Sequence, residues 1–123
     1  LRRKRGGHLF SKLRFLSAQM EAYLTDDLWL TSAAKANANM ARLANGLRGL
    51  EGVTFLAEPD ANMVFAQMPR AMHKRLHDGG AVYYLLKGEL EGSDPSEPLL
   101  CRLVADWSIT DSQIDQFITL ARG

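Results

Sequence analysis

A single cysteine, Cys101, excludes an internal disulfide and any cysteine-built metal site, and it fits a reducing cytoplasm. No apolar run approaches the roughly twenty residues of a membrane-spanning helix, and no leader-like pattern of charge followed by an apolar stretch opens the chain. Acidic residues are missing from positions 1–14, where Arg2, Arg3, Lys4, Arg5, Lys12 and Arg14 make up six of the fifteen basic residues. Beyond them nine basic residues face fourteen acidic ones, so the net charge of +1 conceals a basic start and a mildly acidic body. Such a body argues against a nucleic-acid partner, whose phosphates demand a cationic surface. Internal repeats and low-complexity segments are also missing. The expectation is a soluble cytoplasmic protein without a membrane partner, whose 46% apolar content suffices for one sizeable core.

The chain opens without Met, on Leu1-Arg2-Arg3-Lys4-Arg5-Gly6-Gly7. Cations in a last helical turn followed by Gly-Gly read as the end of a helix, and the expectation is a piece of a longer polypeptide. Leu9, Leu13, Leu16, Met20 and Tyr23 then recur at helical spacing and predict a helix to about Leu24. Thr25-Asp26-Asp27 predicts a break and a new N-cap. From there Trp29, Ala33, Ala36, Met40, Leu43 and Leu47 form the stripe of a long amphipathic helix that fades between Gly46 and Gly52.

The period then changes. Residues 53–56, 62–67, 82–86 and 99–105 read as strands, with a turn at Glu58-Pro59-Asp60 and a surface loop over 87–98. Pro69 suits the first position of a short helix closed by Asp78-Gly79-Gly80. Thr110 predicts the cap of a last helix, with Gln113 completing a capping box and Ile109 stapled onto Ile114. Ile114, Phe117, Ile118 and Ala121 form its buried side. Two leading helices followed by β-β-α-β-β-α make an α+β fold, a small and mainly antiparallel four-stranded sheet covered by helices.

Among candidate functional residues, Arg102 interrupts the apolar run Leu99-Leu100-Cys101 and Leu103-Val104. A guanidinium there either reaches solvent or meets an anion, and its planar fork suits a carboxylate. The basic start, with Ser11-Lys12 placed in a first helical turn after the glycines, offers a phosphate contact or a solvated helix end. His73 and His77 have ligand spacing, but Lys74 and Arg75 beside them oppose a cation, so no metal site is expected. Cys101 reads as a small core residue, and Met63, Met68 and Met72 as core fillers. Asp26 and Asp27 read as caps, Asn62 as a turn cap or a ligand-orienting amide, and His8 as local structure.

Several stretches carry a family pattern. The opening Arg2-Arg3-Lys4-Arg5-Gly6-Gly7-His8, then Ser11-Lys12-Leu13-Arg14-Phe15-Leu16-Ser17-Ala18-Gln19, resembles the segment leading into the small C-terminal domain of low-specificity L-threonine aldolases. Ala61-Asn62-Met63-Val64-Phe65, Gly79-Gly80-Ala81-Val82-Tyr83-Tyr84, and Arg102-Leu103-Val104 ahead of the Thr110 helix resemble the same family in the same order. The likeness covers essentially the whole chain. It departs where relatives show a third Gly and Met-Arg, and this chain has His8-Leu9-Phe10-Ser11-Lys12.

The resemblance implies a pyridoxal 5'-phosphate (PLP) lyase of fold-type I that cleaves L-threonine or related β-hydroxy-α-amino acids to glycine and an aldehyde. It implies a linking helical segment over 1–24 and the small C-terminal domain over 25–123, with a large domain upstream. Arg102 matches the arginine that takes the substrate carboxylate. Lys4, Ser11 and Lys12 are the positions that match contacts to the cofactor phosphate of a neighbouring subunit, which implies a homodimer or homotetramer. The Schiff-base lysine is expected upstream, because Lys35, Lys74 and Lys87 do not follow a Ser/Thr- and Gly-rich strand end. The fragment alone is then inactive. A β-eliminating lyase of the same superfamily, an interaction or oligomerisation domain, and a nucleic-acid module using the basic arm are the competing expectations.

Overall fold

The computed structural model describes residues 1–9 and 11–123, in two compact units, Leu1–Ser32 and Ala33–Gly123. The first unit holds α1 (Arg2–Arg5), α2 (Leu13–Leu24), a 3-10 turn (Thr25–Asp27) and the start of α3 (Leu28–Leu47). α1 ends at Gly6, and Gly7 takes a φ of 75°, a conformation that glycine adopts without strain. α2 begins later than the apolar spacing suggested. Lys12 stands before it in a left-handed conformation (φ 64°), so Ser11 and Lys12 precede the helix instead of forming its first turn. The break at Thr25–Asp27 is a kink made by positive φ at Asp26 and Asp27. Neither carboxylate caps α3 among the described residues, and Thr25 instead bonds back to the Glu21 carbonyl at 2.7 Å.

The second unit carries the rest of α3, then β1 (Thr54–Phe55), β2 (Met63–Pro69), α4 (Arg70–Asp78), β3 (Tyr84–Lys87), β4 (Pro98–Val104) and α5 (Asp111–Arg122). The strands form one antiparallel sheet in the order β1-β2-β4-β3. The fold class and the order of elements expected from the sequence are those observed. Boundaries move by one or two residues. Pro69 closes β2 and serves as the N-cap of α4, because its missing N–H is spared at a strand end as readily as in a first helical turn. Val82, expected in a strand, is 96% exposed and precedes β3.

Period-two alternation sorts β2 and β4 into two faces. Val64, Ala66 and Met68 from β2 and Leu99, Cys101 and Leu103 from β4 face inward and are buried. The core adds Met40, Leu43 and Leu47 from α3, Met72 and Leu76 from α4, and Ile114, Ile118 and Ala121 from α5. Burying each large side chain contributes about 1.5–3 kcal/mol. Met68 and Met72 are core residues as expected. Met63 is not: its odd position on β2 turns it to the other face, where it is 38% exposed. On α3 the buried stripe begins at Ala36, with Trp29 and Ala33 outside it and Asn39 and Ala44 inside.

α5 is capped as its sequence dictates. Thr110 accepts from the Gln113 backbone N–H, and the Gln113 side chain accepts from the Thr110 N–H. Ile109 packs against the same cluster that buries Ile114. No helix among the described residues is long and apolar enough to cross a membrane.

Candidate functional site

Arg102 lies on β4 between two inward residues, so its side chain projects to the face opposite the helices and is half-buried. Its cross-strand neighbours are Phe65 on β2 and Tyr84 on β3. With Met63 and Val104 they make that face largely apolar around a single guanidinium. Among the described residues Arg102 has no hydrogen-bonded or ionic partner. An unpaired fork of donors amid aromatic and aliphatic side chains suits a planar anion, which two parallel N–H bonds hold in a fixed orientation.

Tyr84 is the first residue of β3, so the ladder between β3 and β4 begins opposite Arg102. Leu103 and Val104 therefore pair with β2 alone. A cavity of about 570 Å³ opens along this half-paired edge. Its walls are the Gly79–Tyr84 segment, Arg102 to Ala105, and the Gln113, Phe117 and Leu120 face of α5. Arg102 is the one charged residue along this lining among the described residues, its side chain set on the sheet face opposite α5; Gln113, Gln116 and the tyrosines add neutral polar groups.

Behind this wall sits a buried polar cluster. His73 on α4 is fully buried and uses both ring nitrogens. Nε2 lies 3.1 Å from the Leu99 carbonyl, and Nδ1 lies 2.8 Å from the Tyr83 hydroxyl. A carbonyl only accepts, so Nε2 carries the hydrogen and Nδ1 accepts from Tyr83. Burial lowers the His73 pKa below its usual value, keeping the ring neutral, with the nearby His77 acting in the same direction. Burial likewise raises the Tyr83 pKa well above its usual range. Tyr83 is further packed by His77 (ring centroids 4.6 Å apart) and by Phe117 on α5 (6.0 Å). The His73 and His77 pair is thus part of a packed aromatic cluster. Cys101 is fully buried in the core, its thiol pushed up to about 12 by burial, which makes it inert as a nucleophile.

Asn62 donates its side-chain amide to the Ala105 carbonyl at 2.8 Å, and the Ala105 N–H returns to the Asn62 carbonyl at 2.9 Å. Its amide therefore ties the open end of β2 to β4. The buried Arg70 grips the loop before β4. It donates to the Glu89 and Asp94 carbonyls and to the Glu97 carboxylate. Neither Arg70 nor Tyr83 stands out in the sequence as a polar residue with a buried role.

Lys4, Ser11 and Lys12 belong to the first unit, and all three are exposed. Their side chains have no hydrogen-bond partner among the described residues. Phe10, part of the departure from the family pattern, lies outside those residues. His8 is held locally, its carbonyl accepting from Arg3 Nε at 2.9 Å. Of the lysines considered for a Schiff base, Lys35 and Lys74 pair with Asp111 and Glu91 at 3.2 and 3.4 Å. Lys87 ends β3 in an exposed position.

No protein-family model matches the chain. It is similar to the low-specificity L-threonine aldolase of Pseudomonas sp. (strain NCIMB 10558), 37% identical over 85 residues, which are 69% of this chain and 25% of that protein. The low-specificity L-threonine aldolase of Pseudomonas aeruginosa is 36% identical over 86 residues, 70% of this chain and 25% of the relative. The chain thus spans about a quarter of the length of the curated relatives it matches. Its fold is shared with the crystal structure of the aminotransferase TlmJ from Streptoalloteichus hindustanus. The TM-score is 0.50 and the identity 22%, over 74% of this chain and 31% of that one.

Proposed function

We propose that this chain, homologous to the low-specificity L-threonine aldolases over a quarter of their length, is the small-domain part of a PLP-dependent lyase. The whole enzyme cleaves L-threonine, or a related β-hydroxy-α-amino acid, to glycine and an aldehyde. The observation that carries this reading is Arg102, a guanidinium with no partner among the described residues, on a largely apolar sheet face at the edge of an open cavity. A substrate α-carboxylate is the planar anion that its fork accepts. Holding the carboxylate at two oxygens, together with an amino group held elsewhere in the whole enzyme, would set the Cα substituents in one orientation, so that the Cα–Cβ bond is presented for cleavage.

PLP, when bound, supplies the electron sink for the carbanion left at Cα. The donor set of the first unit fits its phosphate. The Lys4 and Lys12 ammonium groups and the Ser11 hydroxyl are exposed donors, and they would hold the phosphate of a neighbouring subunit's cofactor. This requires a homodimer or homotetramer. The first unit supports assembly, because no described residue of Leu1–Ser32 is buried although Phe15, Leu16, Met20 and Tyr23 are apolar. The lysine that binds the cofactor covalently belongs, in this reading, to the rest of the whole protein, and the 123 residues alone are inactive.

The test is Arg102→Ala in the whole enzyme. Loss of a bidentate, charge-assisted pair lowers kcat/KM for L-threonine by about 100-fold while cofactor absorbance stays unchanged. Near-normal kinetics would sink the assignment. The products separate the aldolase from a β-eliminating lyase: glycine with an aldehyde in the first case, ammonia with an oxo acid in the second.

A further inference from the structure

One imidazole links β4, the strand that carries Arg102, to the Gly79–Tyr84 wall of the cavity. His73 is bonded through Nε2 to the carbonyl of Leu99, three residues before Arg102 on β4. Through Nδ1 it holds Tyr83, the residue before Tyr84. Successive residues of an extended chain point to opposite sides. Tyr83 accordingly anchors on the core side, while Tyr84 lies 73% exposed, opposite Arg102 in register.

The Gly79–Tyr83 segment packs Ala81 and Tyr83 against the core but has few hydrogen bonds to fix it. Its backbone bonds end at Ala81, whose N–H reaches the Leu76 carbonyl at 2.9 Å, and the β3 ladder does not begin until Tyr84. Val82 is almost fully exposed. Between these two points the Tyr83 hydroxyl makes the single side-chain hydrogen bond of the segment among the described residues, and it makes it to His73. A fully buried side chain with both nitrogens engaged has one rotamer and one tautomer available, so the link is stiff.

We infer that His73 is a positioning residue of the Arg102 cavity, with the Tyr83–His73 hydrogen bond setting where Tyr84 and the cavity wall stand relative to the guanidinium. The inference rests on the carboxylate reading of Arg102. Its ligand class is accordingly a small carboxylate, which Arg102 holds and the Tyr84 wall confines. Tyr83 and His73 touch no ligand themselves.

Acetate serves as the carboxylate probe, titrated into the whole 15N-labelled enzyme and followed through the Tyr84 amide. The wild type gives a saturable shift that Arg102→Ala abolishes. Tyr83→Phe, which removes one oxygen and keeps the ring packing, weakens acetate binding about fivefold, the scale of one hydrogen bond. A wild type without a saturable shift, or a shift that survives in Arg102→Ala, overturns the carboxylate reading and the inference with it. A shift that depends on Arg102 but has equal affinity in Tyr83→Phe overturns the inference alone. Should Tyr83→Phe unfold, the wild-type His73 ring nitrogens decide. By reciprocal linkage, saturating acetate moves their resonances if the link is coupled to the cavity, and unmoved resonances overturn it.

Discussion

Asn39 and Asp106 are joined by a 2.8 Å hydrogen bond from a buried side-chain amide on α3 to a loop carbonyl beyond β4. The same amide nitrogen also donates to the Ile109 carbonyl at 3.0 Å. The Asp106 carboxylate closes the loop upon itself, accepting from the Ser108 N–H and hydroxyl at 2.7 and 2.8 Å. The Ser108 hydroxyl and N–H accordingly hold the Asp106 pKa below its usual carboxylate value. This loop delivers the chain from the Arg102 strand into α5, so an amide on α3 fixes the loop that carries Ile109 to the rim of the cavity.

Asn39→Ala should therefore destabilise the chain by about 1–3 kcal/mol, because it strands two carbonyls that Asn39 now satisfies. Thermal melts followed by circular dichroism should show a midpoint lower by roughly 3–10 °C. An unchanged midpoint would mean that the loop holds itself.

Arg70 is the other polar anchor, with a side chain only 6% exposed. Arg70→Met keeps the aliphatic stem and removes three loop contacts, at a cost of about 2–3 kcal/mol. The released loop exposes Glu89 and Glu91 to a glutamate-specific protease. Cleavage there should quicken at temperatures where the rest of the chain stays folded, and an unaltered digestion rate contradicts the anchoring role.

The capping box at Thr110 offers a smaller and cleaner effect. Thr110→Ala removes the acceptor for the Gln113 N–H and should cost about 1 kcal/mol, with Thr110→Ser recovering most of it. Denaturant midpoints for the three proteins should fall in the order Thr, Ser, Ala.

Stability should decline on the acid side of neutrality through His73. Its folded pKa lies below the ordinary 6.5, mainly because burial penalises the charged ring. The unfolded chain therefore takes up the proton first. The stability contribution is complete above pH 6.5 and is lost as pH falls below it toward the folded value. His77, packed on the Tyr83 ring, opposes protonation of His73 in the same direction. Urea midpoints measured from pH 8 to pH 5 should fall over this window, and His73→Gln should flatten the lower part of the profile. An equal slope in both proteins would assign the acid sensitivity elsewhere.

The helices and strands were legible because their signals are local. Thr110 with Gln113 spelled out a cap, and the apolar stretch within 62–67, bounded by turn residues, marked a strand. Arg102 was visible as a charge in an apolar run. Met63 was misjudged because hydrophobicity alone does not say which face of a strand a residue occupies; that depends on register. Lys12 was misjudged because a left-handed residue before a helix leaves no trace in apolar spacing.

By itself, then, the sequence determined the α+β class, the order of elements, and a lone guanidinium on a strand, since propensity, periodicity and capping act within a few residues. Only the tertiary structure decided what surrounds that guanidinium. Pairing β3 to β4 from Tyr84 onward leaves an open edge, and that edge makes a cavity beside Arg102. Packing α4 beneath the sheet buries His73, whose two nitrogens must then find partners from distant parts of the chain. Leu99 and Tyr83 are 26 and 10 residues away from His73. Only the sheet register and the core bring such partners within hydrogen-bond reach, because desolvating the ring makes any other arrangement costly.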